Sequence, residues 1–107
     1  MDVRKAAEAA RDYLVSIRRE FHQHPELSMQ EFRTAQRIEE ELDRLGIPHT
    51  RVGETGVLGT LRGEKEGGRA VVLRADIDAL PVEEENDLPF KSEVPGVMHA
   101  CGHDIHT

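Results

Sequence analysis

No run of apolar residues in this chain of 107 approaches the roughly 18 that a membrane-crossing helix requires, which excludes a helical span within it. Positive charge is also scarce. Against 21 aspartates and glutamates stand 14 lysines and arginines, a formal net charge of -7, and no basic stripe is present to neutralise phosphates. Nucleic acid and membrane are therefore not expected as partners. The opening stretch MDVRKAAEAARD carries charges where a secretory signal needs an apolar core, so the expected compartment is the cytoplasm. With a single cysteine there is no disulfide framework, which suits a reducing compartment and leaves Cys101 open as a ligand, a nucleophile or an inert small residue. Internal repeats are missing too. The one low-complexity stretch, Glu83-Glu84-Glu85, reads as a solvated loop. The length allows one domain at most, and little room for a self-contained large cleft.

What is there begins with two amphipathic helices. Val3, Ala6, Ala7, Ala10, Leu14, Ile17 and Phe21 recur at the three-and-four spacing of one helical face, up to Pro25. Ser28-Met29-Gln30-Glu31 then reads as a capping box opening a second helix. Its stripe, Phe32, Ala35, Ile38, Leu42 and Leu45, stops at Gly46, a residue suited to the left-handed position after a helix, with Pro48 just beyond. The texture then turns to β: HTRVGE and GVLGTLRG are short segments punctuated by glycine, followed by the turn-like GEKEGG. Arg69 to Ile77 has the continuous apolar centre Val71-Val72-Leu73, as expected of a strand covered on both faces. The fold class expected is α/β, two N-terminal helices followed by strands of a mixed sheet.

Chemistry gathers after that strand. Asp76 and Asp78 lie two apart at its carboxyl end, where sites collect in open α/β sheets, and point to the same side if the chain stays extended. Cys101 and His103 are separated by one glycine, so in an extended segment both can reach one ion. A thiolate with an imidazole favours zinc and its transition-metal neighbours over magnesium or calcium. Asp104 and His106 are close in sequence and can orient such ligands or approach a second ion. The competing chemistry is a Cys101 nucleophile with His99 or His103 as base, although no strand-to-helix elbow or oxyanion hole accompanies it. His22 and His24, at a helix exit beside Pro25, read as one histidine capping carbonyls and one in solvent. His49 reads as an isolated surface residue. Arg18, Arg19 and Arg74 could bind a carboxylate, but read more simply as solvated charge.

Taken in order, RREFHQHPELSMQE, LRADIDALPVEE and PFKSEVPGVMHACGHDIHT resemble the opening of the dinuclear-metal amidohydrolases related to aminoacylase and to glutamate-releasing carboxypeptidase. The narrower resemblance is to the branch of hippurate hydrolases, N-acetyl-diaminopimelate deacetylases and auxin-conjugate amidohydrolases. It implies that Cys101 and His103 are metal ligands in a site for two divalent ions, with manganese, zinc, nickel or cobalt as occupants. Asp78 becomes the catalytic aspartate that orients a ligand. Asp76 stands where the wider family has a metal-binding histidine in an H-x-D pattern, a departure that gives it a supporting role beside Asp104 and His106. The implied reaction is hydrolysis of the amide bond of a small N-acyl amino acid by metal-activated water, with a glutamate carrying the proton to the leaving amine. The resemblance also implies that residues 1–107 are the N-terminal part of a zinc-peptidase-like catalytic domain. The family's Glu-Glu pair, two later histidines and a smaller dimerisation domain are not among them. The parent is expected to be a homo-oligomer, and the chain alone inactive and prone to self-association. The alternative is a non-catalytic metal-holding or interaction fragment derived from such an enzyme.

Overall fold

The computed structural model describes residues 1–65 and 67–107; Glu66, in the GEKEGG turn, lies outside the described residues. The first helical stripe forms two helices, α1 (Val3–Ala9) and α2 (Arg11–Gln23), with the joint at Ala10. Asp2 caps α1 by accepting the amides of Arg4 and Lys5 at 3.1 and 3.2 Å. The single helix expected from Val3 to Phe21 is therefore stepped. Helix α1 buries no residue, so no packing holds it in line with α2.

Helix α3 (Phe32–Arg44) starts where the sequence indicates, but a different residue caps it. Met29 adopts the left-handed conformation (φ 66), and the Gln30 amide donates to the Leu27 carbonyl at 2.9 Å. This tight turn precedes the helix, and the carboxylate at its first turn comes from before it. Glu26 accepts from the amides of Arg33 and Thr34 at 3.1 and 2.6 Å and from the Thr34 hydroxyl at 2.6 Å. The expected Ser28–Glu31 capping box does not form: the left-handed turn at Met29 starts the helix after Glu31, and Glu26 takes the amides of its first turn. At the other end the Gly46 amide donates to the Asp43 carbonyl at 3.0 Å and the Ile47 amide to the Leu42 carbonyl at 2.8 Å, the paired bonds of a Schellman stop. Gly46 has φ +68, and nothing lies within 4 Å of where a Cβ would stand. Gly46→Ala should thus meet only backbone strain and cost about 1–2 kcal/mol, read as a lower chemical-denaturation midpoint at unchanged slope. A neutral effect would mean that the stop tolerates a Cβ.

Strands β1 (His49–Val52) and β2 (Gly56–Gly59) pair antiparallel with Thr50 opposite Leu58, and Gly53 takes φ 62 in the connecting turn. Gly59 faces the end of α3, where an added Cβ would meet Leu42 Cδ1 at 3.4 Å and Ile47 Cγ2 at 3.5 Å. The hairpin is thereby laid across the helix terminus.

Among the described residues this is the only sheet, so the mixed sheet expected from the sequence is reduced to one antiparallel pair. Residues 70–78 form no strand. Val71, Val72 and Leu73 are 86, 82 and 93% exposed rather than covered on both faces. A strand exists only by pairing, and among the described residues nothing pairs with this segment. Pairing resumes locally in two isolated bridges, Leu27 with Ala79 in parallel and Leu80 with Met98 antiparallel. Buried apolar residues are few: Phe21, Ala35 and Ala79. Helices α2 and α3 face one another across an open apolar groove of about 490 Å³ lined by Leu14, Ile17, Phe21, Ile38, Leu42 and Leu45.

Candidate metal centre

The Leu80–Met98 bridge sets the geometry of the site. Each amide donates to the other residue's carbonyl, at 2.9 and 3.0 Å, so the segment following Asp78 lies beside the one leading to Cys101. The chain then turns at Gly102 (φ -78, ψ 13) into the one-turn helix α4 (His103–His106). Cys101 and His103 are consequently not displayed by the alternation of an extended strand. The turn decides their orientation, because the His106 amide closes onto the Gly102 carbonyl at 3.0 Å.

His103 Nδ1 lies 2.9 Å from the carbonyl oxygen of Asp78 and 3.0 Å from its carboxylate Oδ1. Two acceptors at one nitrogen place the ring proton there, and Nε2 is left with its lone pair outward. Metal-bound imidazoles have this arrangement, with the far nitrogen donating to a carboxylate or carbonyl. Nε2 forms no hydrogen bond among the described residues and stands 3.9 Å from Asp76 Oδ2. Asp76 and Asp78 thus flank the two nitrogens of one imidazole, while Asp76 also pairs with Arg74 at 2.6 Å. Cys101 is a free, exposed thiol. Among the described residues no group of three or more His, Cys, Asp or Glu side chains is arranged to hold an ion. The donor set nevertheless fits half of a transition-metal site: one thiol, and one imidazole with its outer nitrogen free.

The remaining sequence candidates are placed elsewhere. Asp104 does not touch His103 but turns inward, 3% exposed, with Oδ2 2.8 Å from His22 Nδ1 and 2.9 Å from Arg18 Nε. The Arg18 contact is an ion pair by distance but is not aligned as a hydrogen bond. His106 is exposed and leans over Gly102, where an added Cβ would come within 3.1 Å of its ring.

The sequence missed a buried polar cluster. His22 is 3% exposed, and its Nε2 lies 3.0 Å from both oxygens of Glu84, itself 2% exposed. Neither the carbonyl-capping reading of His22 nor the solvated reading of Glu84 holds. Glu84 also accepts from the Ser92 amide at 2.7 Å and from Asn86 at 3.1 Å. Phe90 presents its ring edgewise to His22 at 5.7 Å, and the Arg19 guanidinium lies 4.6 Å from the centre of that ring. So Arg18 is drawn against this cluster by Asp104, while Arg19 stays exposed with its guanidinium over the Phe90 ring. His24 does remain near the surface, 3.3 Å from Glu93. His49 is largely covered, with Nδ1 3.1 Å from the Ile47 carbonyl. His99 is buried with no hydrogen-bond partner on either nitrogen among the described residues, and burial pushes its imidazole below the ordinary value.

Burial alone would raise the Glu84 carboxyl, but the bonds from His22, Ser92 and Asn86 outweigh it and hold the group at about 2. On the surface between α2 and α3, Glu41 is likewise held at about 2 by Tyr13, Arg44 and Arg37. Both groups are lowered from an ordinary 4.5, so their stabilisation is complete above that value and is lost as pH falls from 4.5 towards 2. Far-UV circular dichroism against pH should show unfolding in this window, and Glu84→Gln should flatten its dependence. An acid limb identical in the variant would exclude Glu84 as its source.

Comparison with known proteins bears on the same segment. The family model described as Peptidase family M20/M25/M40 matches residues 72–107, the stretch holding both aspartates and the Cys101–His103 motif. Thermostable carboxypeptidase 1 of Saccharolobus solfataricus is 54% identical over 97 residues, 89% of this chain and 24% of that protein. N-acetylcysteine deacetylase of Bacillus subtilis is 48% identical over 99 residues, 88% of this chain and 25% of that one. The crystal structure of the Bacillus subtilis YXEP protein, a dinuclear metal binding peptidase from the M20 family, superposes with a TM-score of 0.85 at 45% identity, covering 91% of this chain and 28% of its own.

Residues 72–107 thus match the M20 peptidase family, and the chain is similar to the N-terminal part of its members.

It spans about a quarter of the length of these relatives. Its helices and hairpin match the N-terminal part of M20 peptidase domains.

Proposed function

We propose that these residues supply one side of the active site of a dinuclear-metal amidohydrolase acting on small N-acyl amino acids. The observation that carries this reading is the His103 imidazole, whose Nδ1 is held by the carbonyl and carboxylate of Asp78 and whose Nε2 is left without a hydrogen bond among the described residues, two residues from the free, exposed thiol of Cys101. In this reading Cys101 and His103 hold metal, Asp78 keeps the His103 proton on Nδ1, and Asp76 adds negative charge on the Nε2 side. Asp104 and His106 shape the turn that carries the ligands. Divalent metal, as manganese, zinc, nickel or cobalt, supplies Lewis acidity towards the amide carbonyl and towards water. The further ligands and the proton-shuttling glutamate belong to parts of the enzyme beyond residues 1–107, and the whole enzyme is a cytoplasmic homo-oligomer.

The test compares this chain with a longer protein that contains it. Under manganese or zinc, the longer protein is expected to release free amino acid from N-acetyl or N-benzoyl substrates, and Cys101→Ser to reduce that rate by about 100-fold or more. Residues 1–107 alone are expected to release none. Full activity in the Cys101→Ser enzyme would remove the thiol from the site, and hydrolysis by the short chain above contaminant controls would show that no further residues are needed.

A further inference from the structure

Helix α4 cannot hold itself in place. It is a single turn, too short to be stable alone, and its one apolar residue, Ile105, is 67% exposed. Only Asp104 is buried within it. The motif is therefore fixed by polar ties: His103 to Asp78 on one side, and Asp104 to His22 on the other at 2.8 Å.

The second tie is built for rigidity. His22 comes from helix α2, Glu84 from the loop after Pro81, and Asp104 from α4, so three distant segments meet at one imidazole. A carboxylate on each ring nitrogen holds the ring at both ends and leaves it no freedom to turn. Glu84 is itself anchored by the Ser92 amide at 2.7 Å and so acts as a fixed post. Arg18 brings a positive group to Asp104 at 2.9 Å. Because Asp104 adjoins His103 in sequence, anything that fixes Asp104 fixes the rotation of α4 about its axis and hence the direction of the His103 ring.

We propose that His22 is a positioning residue for the metal motif, holding the turn from Cys101 to His103 in the conformation that presents both side chains to one ion. The proposal rests on the reading of Cys101 and His103 as ligands, and His22 touches neither.

The test uses the isotopically labelled chain and cobalt(II), whose bond to a thiolate gives a charge-transfer absorption. His22→Gln keeps a donor of similar reach but makes one bond instead of two. Its amide shifts are expected to move at residues 100–104 and not in α3 or the hairpin, and its cobalt affinity to fall by about 10-fold. Glu84→Gln, which keeps the His22–Asp104 bond, is expected to move the same amides by less, and decides the matter where His22→Gln does not fold. Unmoved amides at 100–104, or changes spread evenly over α3 and the hairpin, overturn the positioning role. The ligand reading fails separately. If cobalt gives no thiolate absorption, or Cys101→Ser retains it, that reading falls, and the amide shifts alone, which need no metal, decide the role of His22.

Discussion

His22→Ala is expected to lower the unfolding free energy by about 3–5 kcal/mol, the usual cost of deleting one partner from a buried ion pair. The variant leaves Glu84 and Asp104, 2 and 3% exposed, facing each other across the space the imidazole had filled, with Arg18 alone to compensate. Folded domains are stable by only about 5–15 kcal/mol, and this one buries few apolar side chains. The variant should therefore be largely unfolded where the wild type is folded, as seen by urea denaturation followed with far-UV circular dichroism. A second variant separates the pair's net contribution from the penalty of breaking it. Replacing His22, Glu84 and Asp104 together with leucine removes all three buried polar side chains and should cost less than His22→Ala alone. A cost below about 1 kcal/mol for His22→Ala would show that water reaches the two carboxylates, since solvated charges need no partner.

The second large effect concerns association. Val71, Val72 and Leu73 present apolar side chains and unpaired backbone along an extended segment, the form of edge that pairs with another chain. The wild-type chain is expected to show concentration-dependent growth in sedimentation velocity, and Val72→Asp to return it to the monomer. The substitution places a charge mid-segment and should not disturb the fold, because Val72 is 82% exposed. A wild-type chain that stays monomeric as concentration rises would overturn this expectation.

Local features of the fold were legible in the sequence. Gly46 marks the stop of α3 because a left-handed residue is needed within one turn of the last apolar position, and the glycine-bounded HTRV and GVLG segments pair as a hairpin. The approach of Asp78 to the motif at Cys101 was implied by the family resemblance rather than by the expected strand, which does not form, and the structure puts Asp78 Oδ1 3.0 Å from His103. What was not legible depends on distant partners. His22 meets Glu84 across 62 positions and Asp104 across 82, and nothing in EFHQHPE or VEEEND shows which of two histidines or three glutamates turns inward. The cap at α3 was misassigned because Ser28 and Glu26 are both plausible acceptors, and the left-handed Met29 that favours Glu26 leaves no mark in the sequence. The apolar run at 71–73 was expected as a covered strand and the structure forms none there, because a strand is a property of two paired segments and nothing pairs with this one among the described residues.

The groove between α2 and α3 is crossed mainly by charge. Arg37 reaches Glu20 at 2.9 Å, and Tyr13 reaches Glu41 at 2.5 Å, while Leu14 and Leu45 on its walls remain half exposed. The molecule is thus expected to open as two cooperative parts, one built from α3 and its hairpin, the other from α2, the loop holding Glu84, and α4. Amide hydrogen exchange should report them as two sets with different opening energies, and added salt, which screens the bridging charges, should uncouple the sets before either one melts.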